Sequence, residues 1–393
     1  MKQTKSPLLP LVFSLIFTGI IFISISSLTE ANITTGDKFY FFRKQFFWLT
    51  ISFMAFYITS KIKLDLVKKL SPLIYFVSIL GLILVLIPGL SNQTLGARRW
   101  LNLGLLSFQP SELLKLSSVL YFSYLFAQSS KRSFINLIIH LIIPFILIIL
   151  QPNLSTAILV STIIISIFYL SGGKVIPLFL LCLGLIGLSF ILVVNSPYRL
   201  ARLQTFLNPD QELQTTSYHN SQIILSLSSG GFFGKGFANS DQKYRFLPKI
   251  STDSILAIIG EETGFLGTFT IILLYVLLLS YLIKLASLVS QDTFSSLLVS
   301  GIACWIGYQC LINISAIANI IPLTGVPLPF ISYGGSSLLT LMIAIGLVRN
   351  IEKTHSLLIY SDNDQGEKKH YHHRHSSHSR SRINSSAPIR SKN

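Results

Sequence analysis

An all-α polytopic membrane protein with ten transmembrane helices is the fold class this chain predicts, and three observations carry it. Apolar runs approaching the ~20 residues that a ~30 Å hydrocarbon core requires recur along almost the whole sequence. Only 12% of the residues are charged and 51% are hydrophobic, a balance that suits lipid-facing helices better than a solvated domain. The polar stretches between the runs are short, with one exception at roughly 196–252.

Taken in order, Lys2 and Lys5 precede an apolar run from Leu8 to Leu28. The run is too long for the core of a signal peptide and lacks a small-x-small cleavage site, so an uncleaved first span is expected in place of a leader. Further spans are expected at about 45–60, 70–90, 110–127, 134–150, 154–171, 175–195, 254–284, 295–318 and 336–352. An even number of crossings puts both termini on one side. With that side inside, the inner loops hold Lys61, Lys63, Lys68 and Lys69, then Lys131 with Arg132, then Lys174, then Lys284, and Arg349 and Lys353 stand at the inner end of the last span. This is the positive-inside pattern of a plasma-membrane protein with cytoplasmic termini. Topology therefore accounts for the net charge of +16 better than nucleic-acid binding does. Cys182, Cys304 and Cys310 all fall within spans and read as buried thiols, not disulfides.

The expected organisation is a ten-helix membrane domain over 1–352, with a large outer loop at 196–252 and a last outer loop at 319–335. A basic Ser/His/Arg-rich tail, 353–393, is expected to be disordered in the cytoplasm. Its histidines could bind metal, although a solvated low-complexity tail is the plainer reading. Within the large loop, Gly230, Gly231, Gly234 and Gly236 suggest a tightly turned or mobile segment. Residues 219–229 suit a short amphipathic helix at the interface.

Chemistry is expected at four places. Asp253, Glu261 and Glu262 stand where the large loop enters the eighth span, and carboxylates beside lipid usually face a protein interior or a wet cavity. Asp253 could equally be a helix N-cap. Arg98 and Arg99 interrupt the charge trend on the outer side, as an anion clamp would; guanidinium forks suit phosphate oxygens. Beyond them, Gln109, Pro110 and Ser111 open a helix on which Glu112 and Lys115 share a face, either as a structural ion pair or as part of a site. Arg43, Lys44 and Gln45 are read either as anchors among aromatic residues or as a second anion contact. Finally, the Pro- and Gly-rich segment 322–339 cannot form a regular helix. Backbone of that kind is tolerated at membrane depth only where it lines a cavity or packs in protein. It carries Ser332, Tyr333, Gly334, Gly335 and Ser336.

The motifs GARRW…FQPSE, QPNLSTA, SPYRLARLQTFLNP, LPKISTDSILAIIGEETGFLG and ISYGGSS, in this order between about residues 40 and 350, resemble the SEDS family (shape, elongation, division, sporulation) of bacterial cell-wall polymerases. QCLINIS and LTGVPLPFISYGG place the resemblance nearer the division branch than the elongation branch. The resemblance implies a peptidoglycan glycosyltransferase that joins lipid II into β-1,4 glycan strands at the outer face and releases undecaprenyl pyrophosphate. It implies that Asp253 is the essential acid, acting as general base on the acceptor hydroxyl. Arg43, Lys44, Gln45, Arg98, Arg99, Gln109, Ser111, Glu112, Lys115, Ser332, Tyr333, Gly334, Gly335 and Ser336 would bind substrate. A divalent cation, Mg or Mn, is implied without identified ligands. The expected partners are a class B penicillin-binding transpeptidase and other membrane proteins of the division septum. This sequence departs from the family pattern at Asn153 and Ser155 (usually Asp and Gly), at Arg43-Lys44 (usually Lys-Arg) and at Asn319 (often Gly). A lipid II flippase is the rival function; it should show paired broken helices and ionisable groups near the bilayer midplane. A non-catalytic scaffold is a third reading.

Overall fold

A computed structural model of the chain describes residues 6–37, 39–94, 97–104, 106–207, 215–240 and 252–355. Lys2, Lys5, parts of the large loop and the tail beyond residue 355 lie outside the described residues. Ten helices occupy the expected stretches: α1 Leu8–Thr35, α2 Tyr40–Thr59, α3 Leu64–Leu86, α4 Pro110–Ala127, α5 Phe134–Leu150, α6 Leu154–Leu170, α7 Val175–Val194, α10 Ile255–Leu288, α11 Thr293–Ile317 and α12 Gly335–His355. Two more, α8 Pro197–Leu207 and α9 Thr215–Gly230, belong to the large loop. By length and apolarity alone, six helices qualify as membrane spans among the described residues: α1, α3, α7, α10, α11 and α12.

Local sequence explains several boundaries. Pro110 opens α4 at its first turn, where a missing N–H forfeits no hydrogen bond. Asn153 caps α6, its side-chain oxygen accepting from Thr156 N at 3.4 Å, and Asp292 caps α11 through Phe294 N at 3.2 Å. The N-cap of α10 is Ser254, not Asp253. The chain is not helical throughout. Three short strands form an antiparallel sheet, β1 Ser91–Thr94, β2 Ala97–Leu103 and β3 Leu106–Phe108, which the all-α expectation omits.

The centre of the bundle is an apolar core with buried polar groups set into it. α4 is almost wholly buried and contacts α3, α6 and α11, while α7 buries only Leu178. The described chain ends share one end of the bundle. There Ser6 Oγ lies 3.2 Å from Tyr281 Oη, which donates to Glu352 Oε1 at 2.6 Å, and Arg349 pairs with Glu352 at 2.7 Å. Lys68, near the start of α3, pairs with Asp292 at 3.7 Å at the start of α11.

α10 is two helices. Gly264 has φ 67° and ψ −159°, values open essentially to glycine, and splits the element into Ile255–Thr263 and Phe265–Leu288. The second part is about 36 Å long at the α-helical rise, enough to cross a hydrocarbon core unaided. It presents Phe265, Phe269, Val276 and Ile283 outward, whereas Ile255 to Glu262 are buried without a break. The glycine cluster fills the gap as a strap. Lys235 N and Gly236 N donate to the carbonyls of Glu261 and Glu262 at 2.9 and 3.0 Å, and Phe265 N donates to Gly231 O at 2.9 Å. The strap is thus tightly turned and packed, as only glycines allow: a Cβ on Gly234 or Gly264 would run into the facing backbone. α9 runs from 215, where 219 is expected, and packs along α10.

Candidate active site

The irregular segment 318–334 enters the bundle and is held there by side chains. Gln309 Nε2 donates to Pro327 O at 2.9 Å, Asn313 Nδ2 to Val326 O at 2.8 Å, and Tyr275 Oη to Pro329 O. Ser332 Oγ accepts from Leu328 N at 2.8 Å. Backbone carbonyls that lipid could not satisfy are satisfied by α10 and α11, the condition under which such a loop persists at depth. Asn313 also donates to Asp253 O at 3.1 Å, so one buried amide fixes both the loop and the acid's backbone.

Around this loop lies a chamber with two compartments. The inner one, about 280 Å³, is lined by Lys44, Gln109, Glu112, Lys115, Tyr333, Gly334 and Gly335 among others. The second, about 760 Å³, is lined by Ser155, Ser189, Phe190, Arg199 and Arg202 among others. Both share Arg99, Trp100, Asn153, Asp253 and Gly325. Gly325 has φ 73° and brings its backbone against the acid; a Cβ there would stand 3.3 Å from Asp253 Oδ2.

Arg99, not Arg98, faces the chamber, and strand register explains it. Arg98 pairs with Gln93 and Trp100 with Asn92, which leaves Arg99 as the extra residue of a bulge. Bulges re-aim side chains in this way. Arg99 Nε donates to Gln151 O at 3.2 Å and Nη2 to Pro152 O. Burial lowers the pKa of its guanidinium; Tyr198 and Asp253 oppose that shift, while Arg202 and Arg199 add to it. An arginine so placed keeps its charge at any physiological pH.

Below, Lys115 Nζ lies 2.8 Å from Glu112 Oε2 and donates to Gln309 Oε1 at 2.8 Å, with the Trp305 ring 5.5 Å away. Both charged residues are buried, so the pair is part of the core as well as the inner wall. Lys44 reaches the inner compartment with Nζ 4.6 Å from the Tyr40 ring.

The structure does not bring every expected residue to the chamber. Arg43 is exposed and pairs with Asp37. Arg98 lines neither compartment. Gln45 and Ser111 are buried and line neither compartment, and Gln45 Oε1 and Ser111 Oγ have no hydrogen-bond partner among the described residues. Ser332 and Ser336 brace turns, the latter accepting from Gln109 N at 3.1 Å. Glu261 and Glu262 lie behind the chamber at the α10 break. Glu261 accepts from Lys235 Nζ at 3.0 Å and Ser240 Oγ at 2.5 Å, and Glu262 from Ala238 N at 3.1 Å. They serve the strap, and the long half of α10 sets them near one end of the bundle, not at its midplane. Arg199 and Arg202 are chamber residues that the sequence reading misses, although an i, i+3 arginine pair on a short loop helix was there to be seen.

Two departures from the resembled pattern become intelligible. Asn153 keeps the capping oxygen that an aspartate would supply. Asn319 has φ 55°, and asparagine is the non-glycine residue that best tolerates that region.

A family model described as cell cycle protein, covering FtsW, RodA and SpoVE, matches residues 6–357. The chain is 33% identical over 352 residues to the probable peptidoglycan glycosyltransferase FtsW of Trichlorobacter lovleyi, covering 88% of this chain and 92% of that one. It is 34% identical over 363 residues to stage V sporulation protein E of Bacillus subtilis, covering 90% and 98%. Among solved structures, it is similar to a chain of a peptidoglycan synthase complex that coordinates polymerization and crosslinking, with TM-score 0.72, 25% identity and coverage of 88% and 97%. RodA of Thermus thermophilus shares the fold, with TM-score 0.66 at 24% identity over 90% and 99% of the two chains.

Proposed function

The chain belongs to the FtsW/RodA/SpoVE family, and on that premise we propose how its chamber acts as a peptidoglycan glycosyltransferase. It is a multi-pass membrane protein, and the reading places its chamber on the outer face, its termini in the cytoplasm and its work at the division septum. The substrates are lipid II and a lipid-linked glycan strand. The single observation that carries the mechanism is Asp253, the one carboxylate among the described residues that lines both compartments, beside the bulged Arg99.

Asp253 takes the proton from the acceptor sugar's 4-hydroxyl as its oxygen attacks the donor's anomeric carbon, and the bond from that carbon to the diphosphate breaks. General base catalysis of this kind contributes typically ~10²–10⁴-fold. Cationic donors fixed before reaction stabilise the diphosphate as it gains charge, and they act strongly where water is excluded. Arg99 supplies such donors next to the acid, held by two backbone carbonyls. Inversion at the anomeric carbon follows from attack opposite the leaving group and gives the β-1,4 link.

The donor set does not compose a resident metal cage. Glu112 is bound to Lys115, and no group of three or more His, Cys, Asp or Glu stands together among the described residues. We assign any Mg or Mn ion to the substrate diphosphate, which is how such ions commonly arrive. A class B penicillin-binding transpeptidase is the proposed partner, in line with the synthase complex to which the chain is similar.

The flippase reading gains one feature, the unexpected break at Gly264. That break and the irregular loop lie at the same end, however. α12, 21 residues and about 32 Å, and the long half of α10 each run a full membrane thickness away from them. A transporter places its broken helices at the midplane. The test is polymerisation of lipid II by the purified chain with its transpeptidase partner. Asp253→Asn is expected to lower the rate by 10²-fold or more (on the order given for a general base) at unchanged folding; native-rate polymerisation by that variant overturns the assignment.

A further inference from the structure

α8 carries Arg199 and Arg202 three residues apart, hence on one face, and both line the larger compartment. Each guanidinium is anchored through one N–H group: Arg199 Nη1 donates to Leu192 O and Arg202 Nη1 to Leu323 O, both at 3.1 Å. The Arg202 guanidinium lies 4.8 Å from the Tyr198 ring. Its Nε is buried and has no hydrogen-bond partner, an orphan donor of the kind that a bound acceptor would satisfy. Arg99 adds a third guanidinium to the same compartment, where Asp253 is the only acid among the described residues. The inner compartment is less positive, since its Lys115 is already matched by Glu112.

We propose that Arg199 and Arg202, together with Arg99, form the seat of the donor's diphosphate, so that the chamber holds two lipid-linked sugars, one on each side of Asp253. The assignment rests on the glycosyltransferase reading above and deepens it. Guanidinium forks match paired phosphate oxygens, and the leaving diphosphate is the group that gains charge as its carbon–oxygen bond breaks with the electron pair. The stronger cationic seat therefore belongs to the donor. Ile158, Phe190 and Val193 form an apolar wall beside it, suited to a polyisoprenyl carrier. The acceptor sugar occupies the inner compartment and gives its hydroxyl proton to Asp253 from there.

The experiment measures binding of undecaprenyl diphosphate to the full chain carrying Asp253→Asn, which separates binding from turnover. Adding Arg202→Gln or Arg199→Gln is expected to weaken binding about tenfold or more, as loss of a charged hydrogen bond does. Inorganic diphosphate should compete in the parent and less well in the arginine variants. Arg202→Lys keeps the charge but not the fork, and an affinity loss of about threefold or more is expected; it decides the matter if the Gln variants do not fold. Affinity within twofold of the parent (well below the loss expected for a charged hydrogen bond) in a folded Arg202→Gln or Arg202→Lys protein overturns the seat, as does competition that leaves the arginines indifferent. The underlying reading is judged apart, by lipid II polymerisation with the unaltered chain. Polymerisation with arginine-independent binding sinks the seat alone, whereas no polymerisation sinks the reading beneath it.

Discussion

α4 and α7 invert the arrangement familiar from water-soluble proteins. α4 carries Ser111, Glu112, Lys115, Ser117, Ser118 and Ser123 and buries all of them at the centre of the bundle. α7 is almost uniformly apolar, yet Ile176 is 77% exposed and Phe179 68%. In lipid so apolar a helix needs no protein cover, whereas polar groups must find partners inside. Ser78 Oγ and Ser117 Oγ, 2.7 Å apart, are one such pairing, and the Lys115–Glu112–Gln309 set is another. The difference teaches that in this chain apolarity alone does not decide burial, since α4 buries polar and apolar residues alike, and that the chamber wall on the α4 side is fastened far more firmly than the wall on the α7 side.

The comparison breaks most visibly at Lys115. Lys115→Met alone leaves Glu112 buried without its cation and is expected to cost about 3–5 kcal/mol, read as a large fall in the thermal midpoint in detergent. Lys115→Met with Glu112→Leu should recover most of that loss, because an apolar pair of similar volume is often neutral. A single variant as stable as the parent would show that α4 is not the fastened wall. Next in size is Gly335→Ala, whose Cβ would meet the Trp48 ring. About 1–3 kcal/mol is expected, with reduced polymerisation, since overpacking displaces the loop that lines the inner compartment. Glu261→Gln follows. It weakens the bonds to Lys235 and Ser240 by about 1.5–3 kcal/mol in total, and limited proteolysis should cut the 230–240 strap sooner. At the far end, Ile186→Leu on the exposed face of α7 is expected to stay within about 0.5 kcal/mol and to leave polymerisation unchanged.

The helical spans were legible because their signal is length and apolarity, which the bilayer imposes on each helix separately. The irregular loop was legible too, since Pro322, Pro327 and Pro329 with Gly325 and Gly334 leave no helical alternative. What escaped depends on relations between segments. Arg98 and Arg99 are indistinguishable as letters, and a one-residue bulge against β1 decides which of them faces the chamber. Gly264 sits in an apolar run that reads as a continuous helix, and only the approach of the 230–236 backbone makes its φ of 67° sustainable. Arg199 and Arg202 were hidden among loop cations, since nothing local says that α8 folds back over the acid's compartment.

The interruption at Gly264 has a consequence for how the enzyme meets membranes of different composition. A span mismatched to bilayer thickness tilts or kinks, at a modest cost per ångström. Here the rod below the glycine carries the exposed apolar face, while the short buried piece that follows Asp253 hangs from the strap, and Asp253 itself from Asn313. Thicker or thinner lipid can lean the rod without raising or lowering the acid, which makes the height of the reaction centre a property of the protein and not of its solvent.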